Sequence, residues 1–558
     1  MINFFRALIL AGFLASAFLP LSLQASMSES LSALPVQDGG RIKPFDTFAR
    51  EYLNLIYGKE KFENKPAVEI VLTWVLEPNL WLEKEIFELR NLQIKNDLKL
   101  PEQKRYFTHL ELTKNSRFGM LMQELSSKRE TQEKLDPYYQ AIQRLEEQVG
   151  IFNQIASGQR LRLVPPKQGD TWLSLPELDP EQQAAFSEIT KAFVMALTAQ
   201  VSEKKGEDIN PLAAESALEN SVQKFETIAR AANPDLYPSK AKIQLEIQYN
   251  NLHPFKWSWI FYILGSIAAL LAWILARDRL YRVSWLLVIL GFLFHLYGFA
   301  LRVYLTERPP VSNMYETVIW VGFGAVLFSM IFEAIYKWRF ILMAGSLAAA
   351  FCLAMGDMAP AVLDPSLQPL EPVLRSNYWL TIHVLTITIS YAAFFLGFIL
   401  ADIGVFFYFK GEDQNKEKIK AIVLSIYRSI QVGTAFLAPG IILGGIWADY
   451  SWGRFWGWDP KETWALIALL GYIAVLHGRL VGWIKDFGLV VSGIVTFSLV
   501  IMAWYGVNFV LGAGLHSYGF GAGGVEYVAS FVALHLLAVV YVSVVRFGRL
   551  KEKATKFK

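Results

Sequence analysis

The chain has 558 residues, 53% of them hydrophobic, 14% aromatic and only 18% charged, a balance too apolar for a soluble protein of this length and one that calls for membrane spans. A formal net charge of +3 excludes the strongly basic surface of a nucleic-acid binder. The single cysteine, Cys352, excludes an internal disulfide, a CxxC redox pair and a CxxCH motif, so any thiol chemistry here must use another protein's sulfur.

Residues 1–25 carry Arg6, an apolar run and a small-residue site ending at Ala25, the pattern of a signal peptide, with an uncleaved anchor as the alternative. Either version sends the following residues across the membrane. From 26 to 255 the composition is mixed. Amphipathic stretches such as 81–100 and 138–156 predict a mostly helical extracytoplasmic domain, broken at Asp38-Gly39-Gly40, Pro165-Pro166 and Asn233-Pro234. It holds no nucleotide-binding glycine loop and no metal-spaced Cys/His cluster, and its task is not legible.

Beyond His253-Pro254, apolar runs long enough to cross roughly 30 Å of hydrocarbon recur at 257–276, 283–305, 315–335, 339–355, 379–409, 422–447, 463–483, 487–509 and 526–546. The expected fold class is therefore an all-α polytopic membrane protein of about nine spans, 256–548, with a basic tail at 549–558. Loops on one side carry Arg277, Arg279, Arg282, Lys337, Arg339, Lys410, Lys416, Lys418, Lys420, Arg479 and Lys485, and the tail joins them. The opposite loops carry only Arg308, Arg375, Arg454 and Lys461. The positive-inside rule makes the first set and the C-terminus cytoplasmic, and the 26–255 domain external.

The loop 452–464, on the external side of this topology, reads Trp452-Gly453-Arg454-Phe455-Trp456-Gly457-Trp458-Asp459-Pro460-Lys461-Glu462-Thr463-Trp464. Scattered tryptophans would be an interfacial belt. Four in thirteen residues, interleaved with glycine, predict a flat platform for a large planar ligand such as a porphyrin. Asp459, Pro460 and Glu462 also form a helix-start signature, a structural role for both carboxylates that leaves room for one in shaping the loop.

The pattern W-G-x-x-W-x-W-D-x-x-E resembles the signature of the WWD haem-handling superfamily, and its surroundings resemble CcsA, the cytochrome c synthase subunit of System II. The segments 309–316, PPVSNMYE, and 379–384, WLTIHV, with Tyr391, look like that family's loop and first external histidine segment. Residues 34–44 are similar to the stretch before the CcsA half of fused CcsBA proteins. The resemblance implies cytochrome c biogenesis: haem b handled as substrate, presented at an external site, and attached by a haem lyase reaction to the CxxCH of apocytochrome c. The expected setting is a bacterial cytoplasmic membrane, with a CcsB-like partner and thiol-reducing proteins.

Seven histidines can be weighed against that expectation. His383 and His516 fall on the face of the tryptophan loop, and the resemblance assigns them as axial ligands of haem iron, with Trp452, Trp456, Trp458 and Trp464 cradling the ring and Asp459 in the reactive loop. His477, near the cytoplasmic end of the seventh span, matches the family's intramembrane haem ligand, whose partner in fused homologues comes from the CcsB half. His295 would serve as that partner or simply hydrogen-bond a neighbouring helix. His535 is buried in the last span, and His109 and His253 have no clustered ligands. Two competing readings are a haem carrier that loads a chaperone without ligation and a scaffold that binds no haem.

Overall fold

The computed structural model describes residues 28–131, 135–205, 211–359, 363–370, 376–511 and 524–556. The segment 1–25 lies outside them. They form two compact units divided in the chain between Leu252 and His253.

In the first unit, β1 (Pro35–Asp38) and β2 (Arg41–Pro44) pair antiparallel, with Asp38 opposite Arg41. Gly39 and Gly40, at φ 58° and 77°, make the two-residue turn, which needs a positive φ at both positions. Helices α1 (Phe45–Tyr57), α2 (Ala67–Leu76), α3 (Ser116–Glu130) and α4 (Pro137–Ala156) follow. Strands β3 (Arg162–Val164) and β4 (Leu173–Ser174) complete a sheet of order β2-β1-β3-β4. The last helices are α5 (Pro180–Lys205), α6 (Pro211–Ala232) and α7 (Lys240–Leu252). The core is aromatic, with Phe48, Trp74, Phe152 and Phe193 all sealed from solvent. Beside it the hairpin is charged inward: Lys43 Nζ donates to Asp38 and Glu51, and Arg41 grips Glu246 of α7 with two bonds of 2.9 and 2.8 Å. Periodicity along single helices could not show these strands, which are two to four residues long.

The second unit is an all-α polytopic membrane bundle; among the described residues nine helices are long and apolar enough to cross a membrane. They are α8 (Pro254–Leu275), α9 (Asp278–Thr306), α10 (Met314–Tyr336), α11 (Phe340–Met358), α12 (Asn377–Lys410), α13 (Lys416–Trp452), α14 (Pro460–Leu480), α15 (Asp486–Leu511) and α16 (Val525–Lys556). Local chemistry sets their limits. Asn313, Ser376 and Asp459 cap α10, α12 and α14 with side-chain oxygens, and left-handed Glu307, Lys337 and Gly453 end α9, α10 and α13. Backbone groups in hydrocarbon must bond internally, which helices alone achieve for an isolated segment. Apolar side chains such as Leu534, Leu537, Val540 and Val544 of α16 consequently face outward.

Two spans depart from the expected 422–447 and 487–509. α13 is longer, running through to Trp452, and α15 changes character, becoming π-helical over Met502–Leu511. The change matters because π-helical turns widen a helix and re-aim its side chains. Successive spans run in alternate directions, so 307–313, 363–370 and 453–459 share one end of the bundle, and 337–339, 411–415 and 481–485 share the other.

Candidate functional site

Helices α12 and α13 pack closely around His383. Its Nδ1 donates to the carbonyl oxygen of Gly440, 2.9 Å away. A carbonyl only accepts, so the proton lies on Nδ1 and Nε2 is the ring's acceptor nitrogen. Glycine at two positions one turn apart makes the contact possible. A Cβ on Gly440 would come within 3.0 Å of the Ile387 Cα, and one on Gly444 within 2.6 Å of the His383 ring. The imidazole also lies parallel to the Trp447 indole, 6.1 Å away at 13°, and Trp452 meets Trp447 edge-on at 4.6 Å. Trp447 is buried and shares a small apolar cluster with Leu380.

The tryptophan loop is shaped by Glu462. One of its oxygens accepts from Arg454 Nη1 at 2.9 Å; the other accepts from the backbone N–H of Gly457 and of Asp459 at 2.8 and 3.1 Å. Asp459 is 5% exposed and accepts from the Lys461 N–H, forming with Glu462 the capping box that the helix-start signature predicts. Arg454 lies over the Trp452 ring. Trp458 is held at φ 56°, a left-handed conformation unusual for a bulky side chain, and stands 70% exposed with Trp456 edge-on to it at 5.8 Å.

Between these elements lies a partly open cavity with mainly apolar walls, lined by His383, Tyr391, Trp447, Phe455, Trp456 and Trp504 among others. Of the predicted residues, His383 and Trp456 line it directly, and Trp452 reaches it through Trp447. Trp458 and Trp464 do not line it, and His516 lies outside the described residues. Trp447 and Trp504 are contributors that sequence reading passed over, because a tryptophan inside an apolar run has no local signal distinguishing a cavity wall from lipid contact.

A buried ion triad braces the segment 311–313 behind another wall. Glu316 of α10 receives Arg302 at 3.0 and 2.7 Å and Arg308 at 2.7 and 3.1 Å, and also the N–H of Ser312 at 2.9 Å. All three charged side chains are at most 4% exposed. The guanidiniums then reach the carbonyls of Pro365, Ser366 and Gln368, tying loop 363–370 to the segment 311–313 that borders the cavity. Charges inside an apolar span were the available signal.

The other histidines are dispersed. His477 is exposed near the far end of α14, about 26 Å along that helix from its start; its Nδ1 donates to the Ile473 carbonyl at 2.8 Å, so Nε2 is its acceptor nitrogen. His295 is sealed at 0% exposure, 3.2 Å from the Tyr262 hydroxyl, stacked on Phe299 and met edge-on by Phe323 and Phe255. That enclosure is the helix-bridging arrangement weighed for it above. His535 lies 3.4 Å from Asp402.

Nine long apolar helices among the described residues, with His383 and aromatic side chains around one cavity, make this a polytopic membrane protein, and the family described as Cytochrome C assembly protein matches residues 311–516. More particularly, the chain belongs to the CcsA family of cytochrome c biogenesis proteins. It is 36% identical over 258 residues to the cytochrome c biogenesis protein CcsA of Prochlorococcus marinus (strain NATL1A), covering 39% of this chain and 79% of that one. To CcsA of Synechococcus sp. (strain CC9902) it is 32% identical over 289 residues, 46% of this chain and 94% of the relative. Protein NrfI of Wolinella succinogenes is 26% identical over 508 residues, 86% of this chain and 53% of NrfI. The chain thus spans about half the length of NrfI, and that match extends beyond the membrane bundle.

Proposed function

We propose that this protein is the haem-handling subunit of a cytochrome c synthase in a bacterial cytoplasmic membrane, with the 26–255 domain and the tryptophan loop outside and the C-terminus in the cytoplasm. Haem b is its substrate. His383 and His516 hold the iron, the aromatic residues around the cavity hold the ring, and an apocytochrome c presents its reduced CxxCH. Each thioether forms when a cysteine sulfur bonds to a vinyl carbon and the thiol proton ends on the neighbouring carbon, so no oxidant or reductant is consumed. The protein's contribution is to position the partners, which lowers the entropic barrier to such an addition. Other proteins keep the thiols reduced.

The observation that carries this reading is the His383 Nδ1–H···O=C bond to Gly440 at the cavity wall. It fixes the ring tautomer and leaves Nε2 as the nitrogen suited to iron, the usual arrangement around a ligating histidine. His477 receives haem within the membrane. Its exposure on the bundle supports a second ligand from a CcsB-like subunit.

The test is the visible absorption spectrum of the detergent-purified protein beside a His383→Ala, His516→Ala double variant. Low-spin bands present in the parent and lost or shifted in the variant are expected. A colourless, intact parent from haem-sufficient cells would overturn the reading and return the chain to the scaffold class. Ligation is then read as haem that stays with apocytochrome c under denaturing conditions. A coloured protein that releases haem without thioethers is a carrier.

A further inference from the structure

Part of the cavity wall is polar for reasons that His383 and the tryptophan loop do not supply. Lys461, at the start of α14, lines the cavity, and its Nζ donates to Asn508 Oδ1 at 3.2 Å. Asn508 is itself fixed, its amide donating to the Trp504 carbonyl at 2.6 Å and reaching Met314 Sδ at 3.5 Å. Trp504 stands one turn earlier in the π-helical segment and lines the same cavity, and its indole Nε1 is buried with no acceptor among the described residues. An indole N–H can only donate, and leaving a buried donor unmet is costly. Glu462 also borders the cavity, but its two oxygens already take Arg454, Gly457 and Asp459.

We infer that Trp504 Nε1 and the Lys461 ammonium form a carboxylate subsite in this cavity, occupied by a propionate of the haem substrate. The inference rests on the haem reading above and adds to it the residues that orient the ring. A carboxylate brought into an apolar cavity needs both a positive charge and a hydrogen-bond donor, and these two residues supply one each. Asn508 holds the ammonium in place. Because the propionates occupy one edge of the porphyrin, seating one of them decides which edge carries the vinyl groups toward an incoming peptide.

The full-length protein, titrated with haem and with haem dimethyl ester and followed by visible absorption, tests this directly. The parent is expected to bind haem about ten-fold more tightly than the ester, as one charge-assisted hydrogen bond would give. Trp504→Phe, which keeps an aromatic ring at that position, and Lys461→Met should each bring that ratio toward one. Sodium acetate competing with haem in the parent, and not in Trp504→Phe, would identify a general carboxylate subsite and also support the assignment. Equal binding of haem and ester by the parent, or a preference that survives both substitutions, overturns the subsite and leaves the haem reading standing. Binding of neither ring overturns that reading beneath it.

Discussion

The His383 imidazole donates from Nδ1 to the carbonyl oxygen of Gly440, 2.9 Å away across two membrane helices and 57 residues apart in sequence. The side chain therefore arrives at the cavity with its tautomer chosen and its rotation stopped. Gly444 touches the same ring where any side chain would collide with it.

Gly444→Ala should therefore act on the ligand without touching it. The added methyl falls 2.6 Å from the ring and must push His383 aside. Loss of an orienting contact typically costs 10–100-fold in metal affinity, so haem affinity is expected to fall by about ten-fold or more, with the helical circular dichroism kept. Unchanged haem binding by optical titration would show that His383 does not hold the iron.

Glu316→Gln is expected to be severely destabilising. It leaves Arg302 and Arg308 buried without their shared carboxylate, and breaking a buried ion pair on one side commonly costs about 3–5 kcal/mol. Thermal unfolding in detergent should show the loss. Protease cutting within 363–370, whose carbonyls the two arginines hold, should appear first.

Trp458 gives the opposite pattern. Its φ of 56° is strained for tryptophan and its side chain is mostly exposed, so Trp458→Gly should leave stability unchanged or raise it by about 1 kcal/mol. Cytochrome maturation should nevertheless fall if the exposed indole meets haem or peptide. Full maturation by a stabilised variant would assign the strain to loop geometry alone.

Acid should loosen the β1–β2 hairpin through Asp38. Burial opposes its ionisation, yet Lys43, the Tyr52 hydroxyl and Arg160 outweigh that and hold its carboxyl below the usual range. A depressed carboxyl contributes stability above its unfolded value, roughly pH 3.9, and loses it as pH falls through the folded value. Glu51, pushed up by burial despite Lys43 and Arg41, works in the opposite sense. Asp38→Asn should thus speed hydrogen exchange of the hairpin amides at pH 7, and the difference from the parent should shrink as the pH drops below 3.9.

Much of this protein was legible from residue order alone. Nine spans follow from apolar runs, since hydrocarbon thickness sets a length that any one helix must meet by itself. The start of α14 follows from Asp459 and Glu462, because a capping box is made within four residues. The resemblance pointed to His383 and to the loop whose Phe455 and Trp456 line the cavity. The tertiary structure alone decided the rest: that Gly440 orients His383, that Glu316 gathers Arg302 and Arg308, that Trp447 and Trp504 become cavity walls while Trp458 turns outward, and that His295 is enclosed by aromatic rings. Hydropathy and capping are properties of one segment, readable in order along the chain. Which face of a helix meets which neighbour is settled by packing between segments tens of residues apart, where a glycine or a buried charge has meaning only through the partner that folding brings to it.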